Sequence, residues 1–377
     1  NKTLKIERNP PAENPPIQIT APVQTYNGGV IVVTNTEFHA ATSVTFGWSV
    51  TAVGRNLSFT GGGAVSMRGV AAGTVSAAGA ASLTVNGAVT LSGDLKAKNL
   101  TVNTATVTAA KIEVSQAATV RTAATIAAPT QTYSGAVTVN ADTTFNASSN
   151  LTFGADGTVG GTGNIIVPGN GAVSIQKNIN LTGGTSKFEQ TGTGAVNIGN
   201  VSSIKAATQI YTGAVTLNTN TTFSAATALT FEQAITSPTS PKKNVDFNLS
   251  SSSGQIKTDS IFAHDITVHG KWVSQRPVHA PAPPYLTVQA DGNITVNGNW
   301  KTGNNPSPAS VVTAGGNIKV TGKWESHEST IEAKNIIVEG SGEEVWRTWG
   351  DITAVNMNLA SIRTSGGVIK VSGNLEA

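Results

Sequence analysis

Apolar and small polar residues alternate along most of this chain. Val137 and Val139 flank Thr138, and Leu151 and Phe153 follow after a short run of small polar residues. A period of two places successive side chains on opposite faces of an extended backbone, so the pattern predicts short β-strands. The small polar runs between them predict tight corners.

A block with this pattern occurs three times without a gap, over residues 21–47, 128–154 and 206–232, and we call it the tyrosine block. A tyrosine and two phenylalanines recur in each copy, at Tyr26, Phe38 and Phe46, at Tyr133, Phe145 and Phe153, and at Tyr211, Phe223 and Phe231. One block supplies about three short strands, which cannot bury their apolar face alone. Internal repetition of this kind predicts that successive units stack on one another.

The segments between the copies keep the same alternation of apolar and small polar residues, as in LTVNGAVTL over residues 83–91. We therefore predict an all-β fold, a right-handed parallel β-helix in which each coil pairs with the next at ~4.8 Å. With roughly 20 to 25 residues per coil, the chain would form about fifteen or more coils and a rod some 70 to 85 Å long.

A second phrase recurs in the C-terminal part, as DITVHGKW, NITVNGNW and NIKVTGKW. It ends at Trp272, Trp300 and Trp324, and a looser version ends at Trp346. The spacings, roughly 22 to 28 residues, fit one phrase per coil, so these rings should lie above one another. We predict a Pro-rich linker or preceding segment at 1–20, a first array at 21–236, and a continuing β-helix with Pro-rich loops at 237–377.

Composition excludes several classes of function. The chain has no cysteine, which removes disulfides and thiolate chemistry. Charged residues make up 12% of the chain and the net charge is +3, with no basic stripe, so we expect no nucleic-acid partner. We also expect no cofactor, no bound metal and no catalytic residue.

The phrase QTYSGAVTVNADTTF, at residues 131–145, and its counterparts in the other two blocks resemble the repeats of filamentous-haemagglutinin-like exoproteins. These are large Gram-negative surface adhesins secreted through a two-partner system. The resemblance implies a right-handed β-helix, an extracellular location on the bacterial outer surface, and an outer-membrane transporter as the secretion partner. It implies a role in cell adhesion and virulence, with glycans or proteins of host or neighbouring cells as partners.

Candidate ligand contacts lie on the tryptophan phrases and on the Pro-rich segment that follows the first of them. They are Trp272, Trp300, Trp324, Arg276, His279 and Tyr285. The tryptophans could form an exposed strip for sugar rings. Alternatively, each ring turns into the coil interior or lies over an adjacent loop. Four histidines, His264, His269, His279 and His327, have no metal-ligand spacing, and we expect them on the surface.

Two further functions remain as alternatives to an adhesive stalk. Unpaired terminal coils would allow end-to-end self-association into a surface filament or sheath. A parallel β-helix can also degrade polysaccharides, if adjacent coils bring carboxylates such as Asp265, Asp291 and Glu325 together. Our expectation is a structural and adhesive protein and not an enzyme.

Overall fold

Turns of three parallel β-strands make up the fold. The computed structural model of the chain describes residues 3–7, 15–238, 240–251, 253–274, 286–303, 310–327, 329–340, 346–348, 351–359, 362–364 and 368–376. These residues contain strands and no helix, and the strands stack as about 16 turns of a parallel β-solenoid. The predicted fold class is confirmed. No helix in the described part could cross a membrane.

Two units, Asn1–Ser186 and Lys187–Ala377, divide the chain. We call them the N-terminal unit and the C-terminal unit, and each is a stack of parallel turns.

The strands of the N-terminal unit are short and follow one another closely. They are β1 (Leu4–Ile6), β2 (Ile17–Thr20), β3 (Val23–Tyr26), β4 (Val30–Val32), β5 (Thr36–His39), β6 (Ser43–Ala52), β7 (Leu57–Thr60), β8 (Ala64–Ala72), β9 (Val75–Ala77), β10 (Ser82–Val85), β11 (Val89–Leu91), β12 (Asp94–Val102), β13 (Thr106–Thr108), β14 (Lys111–Val120), β15 (Ala124–Ala127), β16 (Thr130–Tyr133), β17 (Ala136–Val139), β18 (Thr143–Asn146), β19 (Asn150–Phe153), β20 (Val159–Gly161), β21 (Ile165–Val167), β22 (Ala172–Ile175) and β23 (Ile179–Leu181).

Each strand of this unit pairs with the strand one turn away. In the second copy of the tyrosine block, β16 pairs with β19, β17 with β20 and β18 with β21. Three columns of strands therefore surround one core. The apolar positions of the alternating pattern, such as Val137, Val139 and Phe145, point inward and are buried. The polar positions between them lie on the outer face.

The second copy contains four strands and not the three predicted. The additional strand is β16, whose sequence TQTY has a single apolar position at its end. Its other inward residue is Gln131, which is fully buried. Because a polar residue stands where an apolar one is expected, the alternating pattern did not reveal this strand.

The length of the block follows from the pairing. Tyr26 lies directly beside Phe46 in the register of β3 and β6, and Tyr133 lies beside Phe153 in that of β16 and β19. One block is therefore a complete turn together with the first strand of the turn above. The tyrosine rings stack on these phenylalanines, with centroids 5.0 Å and 6.0 Å apart.

Part of the segment 1–20, predicted as a Pro-rich linker or preceding segment, belongs to the ladder. Strand β1 pairs with β4, and β2 pairs with β5. Pro15 and Pro16 come just before β2, where a missing N–H costs no ladder bond. Pro10 and Pro11 lie outside the described residues.

The C-terminal unit repeats the three-column plan. Its strands are β24 (Lys187–Gln190), β25 (Val196–Ile198), β26 (Ser203–Tyr211), β27 (Val215–Leu217), β28 (Thr221–Phe231), β29 (Ile235–Thr236), β30 (Val245–Leu249), β31 (Ile256–Thr258), β32 (Ile261–Ala263), β33 (Ile266–His269), β34 (Trp272–Ser274), β35 (Thr287–Ala290), β36 (Ile294–Asn297), β37 (Trp300–Thr302), β38 (Ser310–Val320), β39 (Trp324–Ser326), β40 (Ser329–Val338), β41 (Trp346–Thr348), β42 (Ile352–Leu359), β43 (Ile362–Thr364), β44 (Ile369–Val371) and β45 (Leu375–Glu376).

Turn length varies more widely than predicted. Leu83 of β10 pairs with Leu100 across a short turn, whereas Trp272 of β34 pairs with Trp300 across a much longer one. The strands keep their register because the extra residues lie in the connections between strands. Of the Pro-rich loops predicted within 237–377, the segments 276–284 and 304–308 fall outside the described residues.

Candidate functional site

Four tryptophan rings form a continuous stack inside the C-terminal unit. They belong to β34, β37, β39 and β41, which pair in register, and they are Trp272, Trp300, Trp324 and Trp346. Successive ring centroids are 4.5, 4.6 and 4.6 Å apart, and the ring planes are within 8° of parallel. The prediction that these residues lie above one another is confirmed.

A column of hydroxyl groups runs beside the ring stack. Each of the four strands has a serine or threonine two residues after its tryptophan, on the same inward face. The indole Nε1 of Trp300 donates to Ser274 Oγ of the preceding turn at 3.1 Å. The Nε1 of Trp324 donates to Thr302 Oγ1 at 3.3 Å in the same way. The hydroxyl column therefore provides a hydrogen-bond acceptor for the N–H group of each buried indole ring.

The hydroxyl column ends without a donor at its last member. Thr348 follows Trp346 on β41, and its Oγ1 is buried without a hydrogen-bond partner. The residue beside Trp346 in the next turn is Ile362, whose side chain has no N–H to donate. One unsatisfied hydroxyl is thus the direct consequence of ending the tryptophan repeat.

The interpretation of Trp272, Trp300 and Trp324 as an exposed strip for sugar rings is corrected by their burial. Their exposed fractions are 0%, 1% and 1%. Since each tryptophan begins its strand at an inward position of the alternating pattern, its ring fills the core. The alternative interpretation, a ring turned into the coil interior, describes these residues. The other candidate contacts, Arg276, His279 and Tyr285, lie outside the described residues.

Two of the histidines in the C-terminal unit are exposed and lie next to carboxylates. His264 Nε2 is 3.9 Å from Asp265 Oδ2, and His269 Nε2 is 3.8 Å from Asp246 Oδ1. His269 points outward, since Ile266 and Val268 of the same strand are buried, and it lies on the surface as expected. The part of the chain that the structure describes contains no group of three residues able to hold a metal ion.

His327 corrects the expectation that the histidines lie on the surface. It is buried, and its Nε2 is 3.0 Å from Glu325 Oε1. Alternation does not apply to it, because it lies in the corner between β39 and β40 and not within a strand.

Asp246 differs from the other carboxylates near these histidines in having one buried oxygen atom. Its Oδ1 is buried without a hydrogen-bond partner. Burial raises the pKa of Asp246 above its usual value, and the nearby His269 acts in the opposite direction.

The fold places two of the carboxylates considered for catalysis at one corner and the third in another column of strands. Asp265 and Asp291 both lie at the corner that leads into the column of β33 and β36, whereas Glu325 lies on β39 beside a tryptophan. Asp265 Oδ1 accepts the backbone N–H of Asn293 at 2.7 Å, which holds the corner. Asp291 pairs with Lys242 at 2.8 Å. Asp291 lines the trough of about 620 Å³ in the C-terminal unit, and the lining of that trough includes neither Asp265 nor Glu325.

Buried glutamines are polar core residues that the sequence did not reveal. In the second copy of the block, Gln131 Nε2 donates to the carbonyl oxygens of Ile126 and Asn146, each at 3.0 Å. The hydroxyl of Tyr133 donates to Gln131 Oε1 at 3.1 Å. Because Gln24 and Gln209 make the same contact with their own tyrosines, the repeated Gln-x-Tyr is a hydrogen-bonded unit of the core.

Lys177 is a second buried polar residue, in the N-terminal unit, with 2% of its surface exposed. Its Nζ donates to the carbonyl oxygens of Ser134 at 3.1 Å and Asp156 at 2.8 Å, and also to that of Gly135. Burial lowers the pKa of Lys177 to about 8, against the opposing charge of Asp156. The ammonium group ties together the carbonyls of two successive corners.

Two shallow troughs lie on the outer faces. The trough in the C-terminal unit has a volume of about 620 Å³ and carries mixed charges, including Asp291, Glu332 and Lys334. The trough in the N-terminal unit has a volume of about 560 Å³ and is bordered by Trp48 and Arg68. Trp48 is the only exposed Trp, Tyr or Phe side chain among the described residues, at 49%.

No signal in the sequence pointed to Trp48. It follows Gly47 at the end of the first block and belongs to neither repeated phrase. Alternation from Phe46 would place it inside, since residue 46 is buried and residue 48 is two positions later. Finding it outside requires the backbone geometry of that corner.

Comparison with protein-family models, with curated proteins and with solved structures found no match to this chain.

Proposed function

We propose that this chain is a structural and adhesive segment of a large bacterial surface protein, which attaches the cell to host cells or other surfaces. The observation that carries the proposal is the in-register stacking of interior side chains. Rings, hydroxyls and aliphatic side chains lie one above another from turn to turn, so the core serves to hold the strands. The outer faces are then free to vary.

Repetition also suits attachment. A stack of similar turns displays outer strand faces again and again, and several weak contacts made by one molecule combine into firm attachment. A single deep cleft is not required for such a function. A filamentous-haemagglutinin-like exoprotein is compatible with the parallel solenoid, and the repeats of the first array resemble that family.

Secretion to the outer surface through an outer-membrane transporter completes the proposal. The absence of cysteine from the sequence suits a chain that crosses a membrane unfolded, because no premature crosslink can form. Neighbour-to-neighbour contacts suit folding one turn at a time after export.

The test is attachment of coated beads. Beads that carry the full 377-residue chain should bind cultured epithelial cells, and binding should rise more steeply than in proportion to the coating density. Beads coated with albumin and beads coated with heat-unfolded chain are the controls. Binding no better than these controls would overturn the proposal.

Electron microscopy of the same preparation separates the proposal from self-assembly. Separate particles are expected. Uniform long filaments would instead favour the surface filament or sheath.

A further inference from the structure

The floor of the trough in the N-terminal unit consists of small side chains on three paired strands. Thr51 of β6, Ala71 of β8 and Thr90 of β11 lie side by side in register on the outer face. All three line the trough. Because these side chains are short, the sheet surface lies low between the larger residues at its border. The volume of about 560 Å³ is within the roughly 300 to 1,000 Å³ of small-molecule sites.

A β-bulge places the two large side chains of the border. The register of β6 and β8 shifts between Phe46 and Ser49, so two residues of β6 stand opposite the single residue Arg68. A bulge bends its strand and breaks the alternation of inward and outward side chains. Trp48 consequently turns outward and is half exposed. Arg68, on the facing strand, is also exposed.

The fold itself does not require a tryptophan at position 48. The third copy of the block has the same spacing at this corner, with Phe231 followed four residues later by Ile235. The residue aligned with Trp48 there is Gln233, which is exposed. A polar side chain therefore occupies the matching corner of another turn, and the exposed indole of Trp48 does not pack in the core.

The chemistry of the border selects an anion with a flat apolar face. Arg68 makes no ion pair among the described residues, and the trough lining contains no acidic side chain. A guanidinium without an internal counterion favours a carboxylate, which it binds through two parallel hydrogen bonds. The indole of Trp48 offers a rigid apolar surface next to it, and the hydroxyls of Thr51 and Thr90 can exchange hydrogen bonds with polar groups.

We propose that this trough binds an acidic sugar residue, a pyranose ring that carries a carboxylate, as found in uronate-containing polysaccharides. The C–H face of the ring lies against Trp48 and the carboxylate pairs with Arg68. The inference rests on the proposed attachment function and gives it a ligand class and a place. An acidic peptide fits less well, because β6 and β8 are paired on both sides and offer no free edge to a peptide strand.

The test is calorimetric titration of the full chain with trigalacturonate and with a neutral trisaccharide of the same length. Wild type should bind trigalacturonate at least about tenfold more tightly. Trp48→Gln, which introduces the residue found at the matching corner, should weaken binding of both sugars. Arg68→Gln should remove the preference for the acidic sugar. Val53→Thr, a change at an exposed residue outside the trough lining, is the matched control and should leave both affinities unchanged.

Several outcomes would overturn the inference. These are equal binding of acidic and neutral sugars by wild type, unchanged affinity in both trough variants, or equally tight binding of an oligoglutamate peptide. Near-ultraviolet circular dichroism of each variant verifies that it is folded. Coated beads that attach to cells, together with no binding of trigalacturonate, would refute the sugar site and leave the attachment function standing. Binding of trigalacturonate without bead attachment would refute the attachment function and leave the sugar site standing.

Discussion

Replacing Trp300 by alanine should be among the most damaging single changes in the C-terminal unit. The ring is 1% exposed and stacks on both sides, with centroids 4.5 and 4.6 Å from its neighbours. Truncation of a buried tryptophan costs about 3 to 5 kcal/mol, and each aromatic pair adds roughly 0.5 to 1.5 kcal/mol beyond burial. Because measured truncation costs already include lost contacts, the two lost ring pairs and the lost hydrogen bond to Ser274 Oγ place the expected cost at the upper end of that range, about 5 kcal/mol.

The assay must resolve local unfolding. Stacked turns contact mainly their neighbours, so one turn can open while the rest stays folded. Guanidinium unfolding followed by circular dichroism gives the global change, and hydrogen exchange measured by mass spectrometry locates it. Peptides that cover 266–274 and 294–302 should lose protection in Trp300→Ala, whereas peptides of the N-terminal unit should not.

Trp48→Ala is the matched control, since it removes the same side chain from an exposed position. It should change stability by no more than about 0.5 kcal/mol. Trp300→Phe keeps an aromatic ring in the stack and should cost less than the alanine variant. Equal effects of Trp300→Ala and Trp48→Ala would refute the reasoning that the interior stack stabilises the unit.

Two further predictions concern buried polar groups. Thr302→Val should destabilise the C-terminal unit by about 1 to 2 kcal/mol, because the indole N–H of Trp324 loses its acceptor. Thr348→Val removes a hydroxyl without a partner and should be neutral or stabilising. A larger loss of stability for Thr348→Val than for Thr302→Val in thermal unfolding would contradict these hydrogen-bond assignments. For Lys177, the folded pKa of about 8 lies below the ordinary 10.5, so the unfolded chain binds more protons between these values and stability rises with pH across that window. Relative to Lys177→Met, wild type should gain about 2 kcal/mol from about pH 7 to about pH 10, and a difference that is flat or falls with pH would contradict the burial of the charge.

The columns of the solenoid could be predicted wherever inward positions are apolar. The recurring spacing of Trp272, Trp300 and Trp324 was enough to align their turns, because one apolar phrase per turn fixes the register of a parallel stack. The lengths of the connections between strands could not be predicted, since they lie outside the alternating pattern.

Polar residues in the core were missed for a related reason. Gln131 and Lys177 are polar, so a pattern of apolar positions does not mark them as core residues. Their cost of burial is offset by carbonyl groups of other turns, such as those of Asn146 and Asp156. Those carbonyls are neighbours in the folded structure but not along the chain. The hydrogen bonds that make the burial acceptable are therefore invisible before the turns are stacked.

The position of Trp48 in the candidate site could not be predicted from alternation either. Alternation correctly separates inside from outside within a strand, and it would place Trp48 inside with Phe46. The bulge between Phe46 and Ser49 reverses that assignment, and no residue type in Gly47, Trp48 and Ser49 marks it unambiguously. Conversely, the tryptophans that the sequence singled out for a ligand are in the core.

Crosslinking tests the central claim, in-register parallel stacking of turns, most directly. The chain has no cysteine, so pairs can be introduced without interference. Thr295 and Lys319 are register partners on the outer face of β36 and β38, and Ile337 of β40 is the partner of Lys319 one turn further on. The Thr295→Cys and Lys319→Cys pair should form a disulfide under mild oxidation, because adjacent strands are about 4.8 Å apart. The Thr295→Cys and Ile337→Cys pair, two strands apart, should remain reduced, and efficient crosslinking of that pair without the first would contradict the stacking.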